Sequence, residues 1–286
     1  MSDQITETLP WVEAQDLRKE ITLELLSCGV DWLKGDFRKK WKEMLHKRDS
    51  LERFRGGTRE KTLEVCTQLA DLQRDLAYYL FLVSRSRDAL KKLEKPITEV
   101  LFGEDANSVV NCLGAERRGY VEASLVGAIS NLTFWHLIAG SSPELVGRLS
   151  FEQMVVGGVA DAGFAMDAVL DFGTKIEGKK VLRVIQLKAD RYGQMAVVSI
   201  YPDDLKVSYL GGSVSKNDAK RMINGARQFY PGCHFLFFTA LVPSFDSPPV
   251  RNVFGIIHPG YPERDALLDN FKEQALKTGL LPNVVR

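Results

Sequence analysis

Apolar positions recur along this chain at two different periods, and the change of period divides it. From Thr8 to Phe102 they step by three and four residues: Leu17, Ile21, Leu25 and Leu26, then Leu63, Cys66, Leu69, Leu72, Leu76, Leu80 and Val83. That spacing keeps one face of a helix apolar. Breaks fall at Gly29, Gly35-Asp36 and Gly56-Gly57, and Pro96 ends or kinks the long run. Residues 1–102 are therefore expected to form an all-α N-terminal helical domain, a hairpin or small bundle. The polar stretch Gly103 to Gly119 reads as a boundary. Tyr120 to Ala139 then reads as an apolar helix with Glu122 near its start, closed by Gly140-Ser141-Ser142-Pro143. A further short helix is expected over Pro143 to Gln153, and Val155 to Gly163 reads as a glycine-punctuated approach to a strand.

From Met166 the period becomes two. Asp167, Val169 and Asp171 alternate with Met166, Ala168, Leu170 and Phe172, and Arg183, Ile185, Leu187 and Ala189 alternate with Gln186 and Lys188. Glu177-Gly178 between them is a hairpin tip. A two-residue loop places Ile176 against Lys179, and an unbroken register then places Lys188 opposite Asp167 and Gln186 opposite Val169. On that register Asp167, Asp171, Gln186 and Lys188 share one face, and the other face is buried. Downstream, Ala196 to Tyr201 and Leu205 to Tyr209 read as short strands, with a turn at Gly211-Gly212-Ser213. Ser215 to Phe229 reads as a helix, His234 to Val242 as a strand buried on both faces, Val253 to His258 as another strand, and Asp265 to Thr278 as a final helix. The order helix, hairpin, helix, buried strand implies a three-layer α/β unit with a mixed sheet over residues 103–286.

Composition narrows the partners only slightly. Lys and Arg number 38 against 37 Asp and Glu in 286 residues, so no global basic field advertises a polyanion. The cluster Arg38, Lys39, Lys40, Lys42, Lys47 and Arg48 is a local patch, read as a solvated helix face. The dispersed cysteines, Cys28, Cys66, Cys112 and Cys233, lack zinc spacing, and His136 within FWHLI reads as a packed residue. No apolar run approaches the roughly 20 residues of a spanning helix, and the polar N-terminus is not a secretory signal. A reducing, cytoplasmic location with no membrane partner is the expectation.

Phosphate-loop, nucleophile-elbow and zinc-protease motifs are absent. What remains is the hairpin's polar face. Carboxylates fixed on a strand offer the hard oxygen ligands that Mg²⁺ or Mn²⁺ prefers, while leaving positions for water and phosphate. A lysine on the same face can orient a nucleophilic water or stabilise developing charge.

Helix-Glu, strand-Asp, hairpin and Gln-x-Lys together resemble the PD-(D/E)XK nuclease superfamily. Gln186-Leu187-Lys188 after Asp167-Ala168-Val169-Leu170 is similar to its Gln-x-Lys branch, the Mrr-like restriction endonucleases. The resemblance covers about Tyr120 to Val242. It implies a restriction-endonuclease-like core and a Mg²⁺- or Mn²⁺-dependent endonuclease acting on nucleic acid, DNA foremost, in restriction or antiviral defence. Asp167, Gln186, Lys188 and Glu122 are its implied catalytic residues, and Asp167, Gln186 and Glu122 its metal ligands. Met166 stands where the family carries proline. Asp171 competes with Asp167 for the metal, and Glu152 with Glu122 for the helix carboxylate. The helical domain would supply a homo-oligomer contact, a protein partner or a brake on cleavage. The rival expectation is a non-catalytic interaction or nucleic-acid-binding scaffold built on a degenerate nuclease fold.

Overall fold

The computed structural model describes helical residues at 60, 63–64, 66–67, 70–71, 73–74, 77–78 and 81, and then residues 114–202, 207–209, 212–214, 216–244, 247–250, 255–258 and 260–283. The remaining helical expectations for the N-terminal lobe, its basic cluster, and the boundary between residues 102 and 103 lie outside the described residues.

Helix α1, Gly114–Ser141, leads into two one-turn helices, α2 (Pro143–Val146) and α3 (Phe151–Met154), and a two-turn helix α4 (Gly158–Phe164). Then come β1 (Ala168–Ile176), β2 (Lys179–Asp190), β3 (Ala196–Ile200), the small hairpin β4 (Val207–Tyr209) and β5 (Gly212–Val214), α5 (Lys216–Phe229), β6 (His234–Pro243) and α6 (Arg264–Thr278). The main sheet has the order β1-β2-β6-β3. β1 and β2 are antiparallel, β2 and β6 parallel, and β6 and β3 antiparallel, so the sheet is mixed. The class is α/β, as the element order implies.

Both faces of this sheet are covered. On one, Ala168, Leu170, Phe172, Ile185, Leu187, Phe238, Ala240 and Val242 pack with Ile129, Leu132 and Phe134 of α1 and Phe271 of α6. On the other, Met166, Val169, Leu182, Val184 and Phe237 pack with Ala219, Met222, Ile223 and Ala226 of α5. The hairpin's second face is therefore not an open polar surface as its alternation suggests. Val169, Leu182 and Val184 anchor α5, and Met166 joins them instead of facing α1. The N-terminal helix reaches the core too: Phe81 stacks on Phe151 at 4.5 Å and meets Trp135 edge-on at 5.5 Å.

The hairpin tip agrees with the expected turn. Glu177 and Gly178 both have positive φ, 52° and 77°, as a turn matching strand twist requires. Ile176 pairs with Lys179 and Lys175 with Lys180. Beyond them β1 carries two extra residues, and Asp171 pairs with Leu182 and Ala168 with Ile185. The cause is local: Gly173 turns to φ 74°, and its N–H donates to Asp171 Oδ1 at 2.8 Å. From Asp171 toward the start of β1, every partner is thus displaced by two from the unbroken register.

Four other expectations shift. α1 begins at Gly114, inside the stretch read as broken. Pro143 to Gln153 is split into α2 and α3. Gly212-Ser213, read as a turn, belongs to β5, which pairs with β4. Residues 255–258 form no strand: a Cβ on Gly255 would lie 2.6 Å from the Thr133 main-chain N, so this segment is pressed against α1 and not laid along the sheet. Among the described residues no helix is long and apolar enough to cross a membrane.

Candidate active site

Asp167 sits just before β1, and both of its main-chain groups are held. Its N–H donates to Ile185 O at 3.0 Å, and its carbonyl accepts from Val156 N at 3.0 Å. Continuing the observed register by one residue places Gln186, not Lys188, opposite it. The Asp167 carboxylate accepts the Leu187 main-chain N–H through Oδ2 at 2.6 Å. Gln186 and Lys188 occupy the same face of β2 as this carboxylate, because the displacement is by an even number of residues.

The structure adds a residue that strand periodicity could not supply. Asp161, on α4, lies within hydrogen-bonding reach of Asp167. Burial, then the charge of Asp167 and this bond, push the Asp161 carboxyl up to about 8, against the pull of Arg221 and Lys188. Asp167 is raised as well, chiefly by burial, with the Leu187 N–H, Lys188 and the Asp161 bond opposing. Two carboxyls this close in a low-dielectric site share a proton.

α4 is held in place from α5. Its last turn closes with Ala165 at φ 53°, whose N–H bonds back to Ala160 O and Asp161 O. The carbonyls of Ala162 and Gly163 accept from Arg221, through Nη2 at 2.6 Å and Nε at 2.9 Å. The third guanidinium nitrogen, Nη1, lies 3.1 Å from Asp218 Oδ1. Gly225 lets the two helices approach, since a Cβ there would meet Phe164 Cβ at 2.5 Å. The only forewarning of Asp161 in the sequence is an acid shortly ahead of Asp167, in a segment whose glycines disguise a helix.

Asp171 is not brought to this site. It stands four residues along β1, about 13 Å at strand rise, and its Oδ2 accepts from Lys180 Nζ at 3.0 Å. Burial would raise its carboxyl, but the Gly173 N–H and Lys180 outweigh that and hold it below the usual range. Glu122 lies on α1 and Glu152 on α3, but their side chains are outside the described residues.

The oxygens offered to a divalent cation are those of Asp161 and Asp167 together with Gln186 Oε1. That amide oxygen is buried and accepts no hydrogen bond. Among the described residues no three His, Cys, Asp or Glu side chains form a metal-binding group, so the amide is the third donor available. Two adjacent carboxyls that would both ionise around a counter-charge, and one unsatisfied hard acceptor on the same sheet face, suit Mg²⁺ or Mn²⁺.

No protein-family model matches the chain, and no curated protein or solved structure matches it.

Proposed function

We propose that this chain is a divalent-metal-dependent phosphodiesterase, a nuclease whose core is restriction-endonuclease-like and whose foremost substrate is DNA. The observation that carries this reading is the Asp161–Asp167 pair, with Lys188 attracted to both carboxyls and Gln186 Oε1 unsatisfied beside them. Asp167, Asp161 and Gln186 would hold the cation. When bound, the ion supplies charge neutralisation at the phosphate and a lower pKa for an attacking water.

The chain's own groups do the remainder. The Leu187 N–H fixes one oxygen of Asp167. Asp161 and Asp167 share a proton, and that proton occupies the place a cation's charge would take. Lys188 presents an ammonium on the same face, where it orients water and offsets charge developing on the phosphoryl oxygens. Arg221 keeps α4, and with it Asp161, in register with the sheet.

A second reading, a non-catalytic scaffold on the same fold, is favoured by one observation: an amide stands where a third carboxylate would bind metal more tightly. The two readings separate on Lys188→Ala and on calorimetry. For a nuclease, Mg²⁺ or Mn²⁺ titration gives heat that Asp167→Asn removes, and Lys188→Ala abolishes cleavage of plasmid and oligonucleotide while the circular dichroism spectrum is unchanged. Undiminished cleavage in Lys188→Ala, or metal binding indifferent to Asp167, rejects the assignment.

A further inference from the structure

β2 does not end in a loose loop. Asp190, its last residue, fastens the turn beyond it: its Oδ2 accepts the Gln194 N–H at 2.7 Å, and its carbonyl accepts the Ser244 N–H, also at 2.7 Å. Gly193 lies so close to the Pro248-Pro249 pair that a Cβ would meet Pro249 Cδ at 2.6 Å. This braced turn holds two side chains out in water. Arg191 is exposed, and Tyr192 is 84% exposed, the most of any large apolar or aromatic residue described. A tyrosine left in water gains nothing for the fold.

The position relates this turn to the candidate site. Tyr192 comes four residues after Lys188, so the two Cα atoms are no more than about 14 Å apart. Lys188 and, from α5, Arg221 both act on the Asp161 carboxyl, and Asp218 is bonded to Arg221. These two cations act at the carboxyl pair, although the chain as a whole is nearly neutral.

We propose that the Arg191-Tyr192 turn is a stacking platform for an unpaired base, and that the substrate presented to Lys188 and the Asp161–Asp167 pair is single-stranded polynucleotide. This rests on the nuclease reading of that site. The chemistry discriminates between strands and duplexes. An exposed ring stacks on any base whose face is free, whereas in a duplex both faces of every base are already taken. Arg191 supplies the adjacent contact to phosphate, which carries no sequence information. Site and platform divide the work: the ring seats a base, and the backbone runs from it over the carboxylates.

The test is fluorescence anisotropy of the full chain with labelled oligothymidylate, oligouridylate and a duplex of equal length, all in EDTA so that no cleavage intervenes. Tyr192→Ala should weaken binding of the single strands on the order of tenfold and change duplex binding less than about twofold. Tyr192→Trp should restore it, and Arg191→Ala should reduce the slope of log affinity against log salt by roughly one. A difference between oligothymidylate and oligouridylate identifies the natural strand. Single-strand affinity unaltered by Tyr192→Ala, equal losses on strand and duplex, or no binding to either polymer overturns the proposal. Cleavage by the wild-type chain, abolished in Lys188→Ala, is scored separately, so the platform can fail while the nuclease reading stands, and the reverse.

Discussion

Asp167 Oδ2 accepts the Leu187 main-chain N–H at 2.6 Å, a contact that ties the candidate metal carboxylate to the residue between Gln186 and Lys188. The bond makes Asp167 the fixed member of the carboxyl pair. The pair's amide variants should therefore behave differently. Asn at 161 can still donate to Asp167, so Asp161→Asn should keep the thermal midpoint within a few degrees in the absence of metal. Asn at 167 keeps an acceptor for Leu187 but removes the charge. Both variants should lower cleavage by on the order of 100-fold or more, and isothermal titration should show both with weakened Mg²⁺ binding. Unimpaired metal binding in Asp161→Asn would remove Asp161 from the donor set.

Asp171 gives the opposite expectation. Its carboxylate is engaged by Lys180 and the Gly173 N–H, well along the strand from Asp167. Asp171→Ala should cost about 1 kcal/mol of stability through the lost main-chain cap and leave metal-dependent cleavage within about twofold of wild type. Urea denaturation and a cleavage assay on the same preparation decide it. Loss of activity at unchanged stability would return Asp171 to the metal site.

The closeness of α4 and α5 depends on Gly225. Gly225→Ala places a Cβ 2.5 Å from Phe164 Cβ, which neither backbone can absorb locally. The expected loss is about 1–3 kcal/mol, and it should fall in part in the Phe164→Ala background, which removes the ring atoms at 2.7 and 3.0 Å but keeps the Cβ. A double-mutant cycle by chemical denaturation reads this directly. Additive losses would mean that the helices separate for another reason.

His136 carries the pH dependence. Burial lowers its pKa from 6.5 to about 3, so between those values the unfolded chain binds a proton that the folded chain refuses. Stability from this residue is intact above 6.5 and falls by roughly 1.4 kcal/mol per pH unit as pH drops below it. Asp161 acts in the opposite sense, since its raised pKa adds stability as pH falls below about 8. The two are separated by comparing urea midpoints of wild type and His136→Leu from pH 7 to pH 4.5. The variant should have the shallower acid loss, and parallel curves would contradict the burial argument.

The sequence made α5, β6 and α6 legible because each is long and carries one unambiguous pattern. α4 was not legible. It is seven residues long, begins and nearly ends with glycine, and contributes one buried residue, Ala160. Its place is set by Arg221, from an element far along the chain. The hairpin was half legible. Strand alternation identified which side chains share a face, and that outcome survives in the fold except at Met166, which lies before β1 and packs with Val169. Which residues lie opposite one another was set by Asp171 bonding to the Gly173 N–H, a side-chain event that periodicity does not encode. The covered second face was foreshadowed by Val169, Leu182 and Val184 standing among the polar positions. The 255–258 segment misled because its apolar residues pack from a loop.

The irregularity in β1 sets a rule for how this hairpin can change in length. Two surplus residues displace every partner but leave each side chain on its own side of the sheet. A single residue added or removed between Phe172 and Thr174 would instead turn Asp167 toward α1 and α6, away from Asp161, Gln186 and Lys188, and turn Ala168 and Leu170 toward α5. Length variation here is therefore tolerable in pairs and ruinous singly: the segment counts by twos.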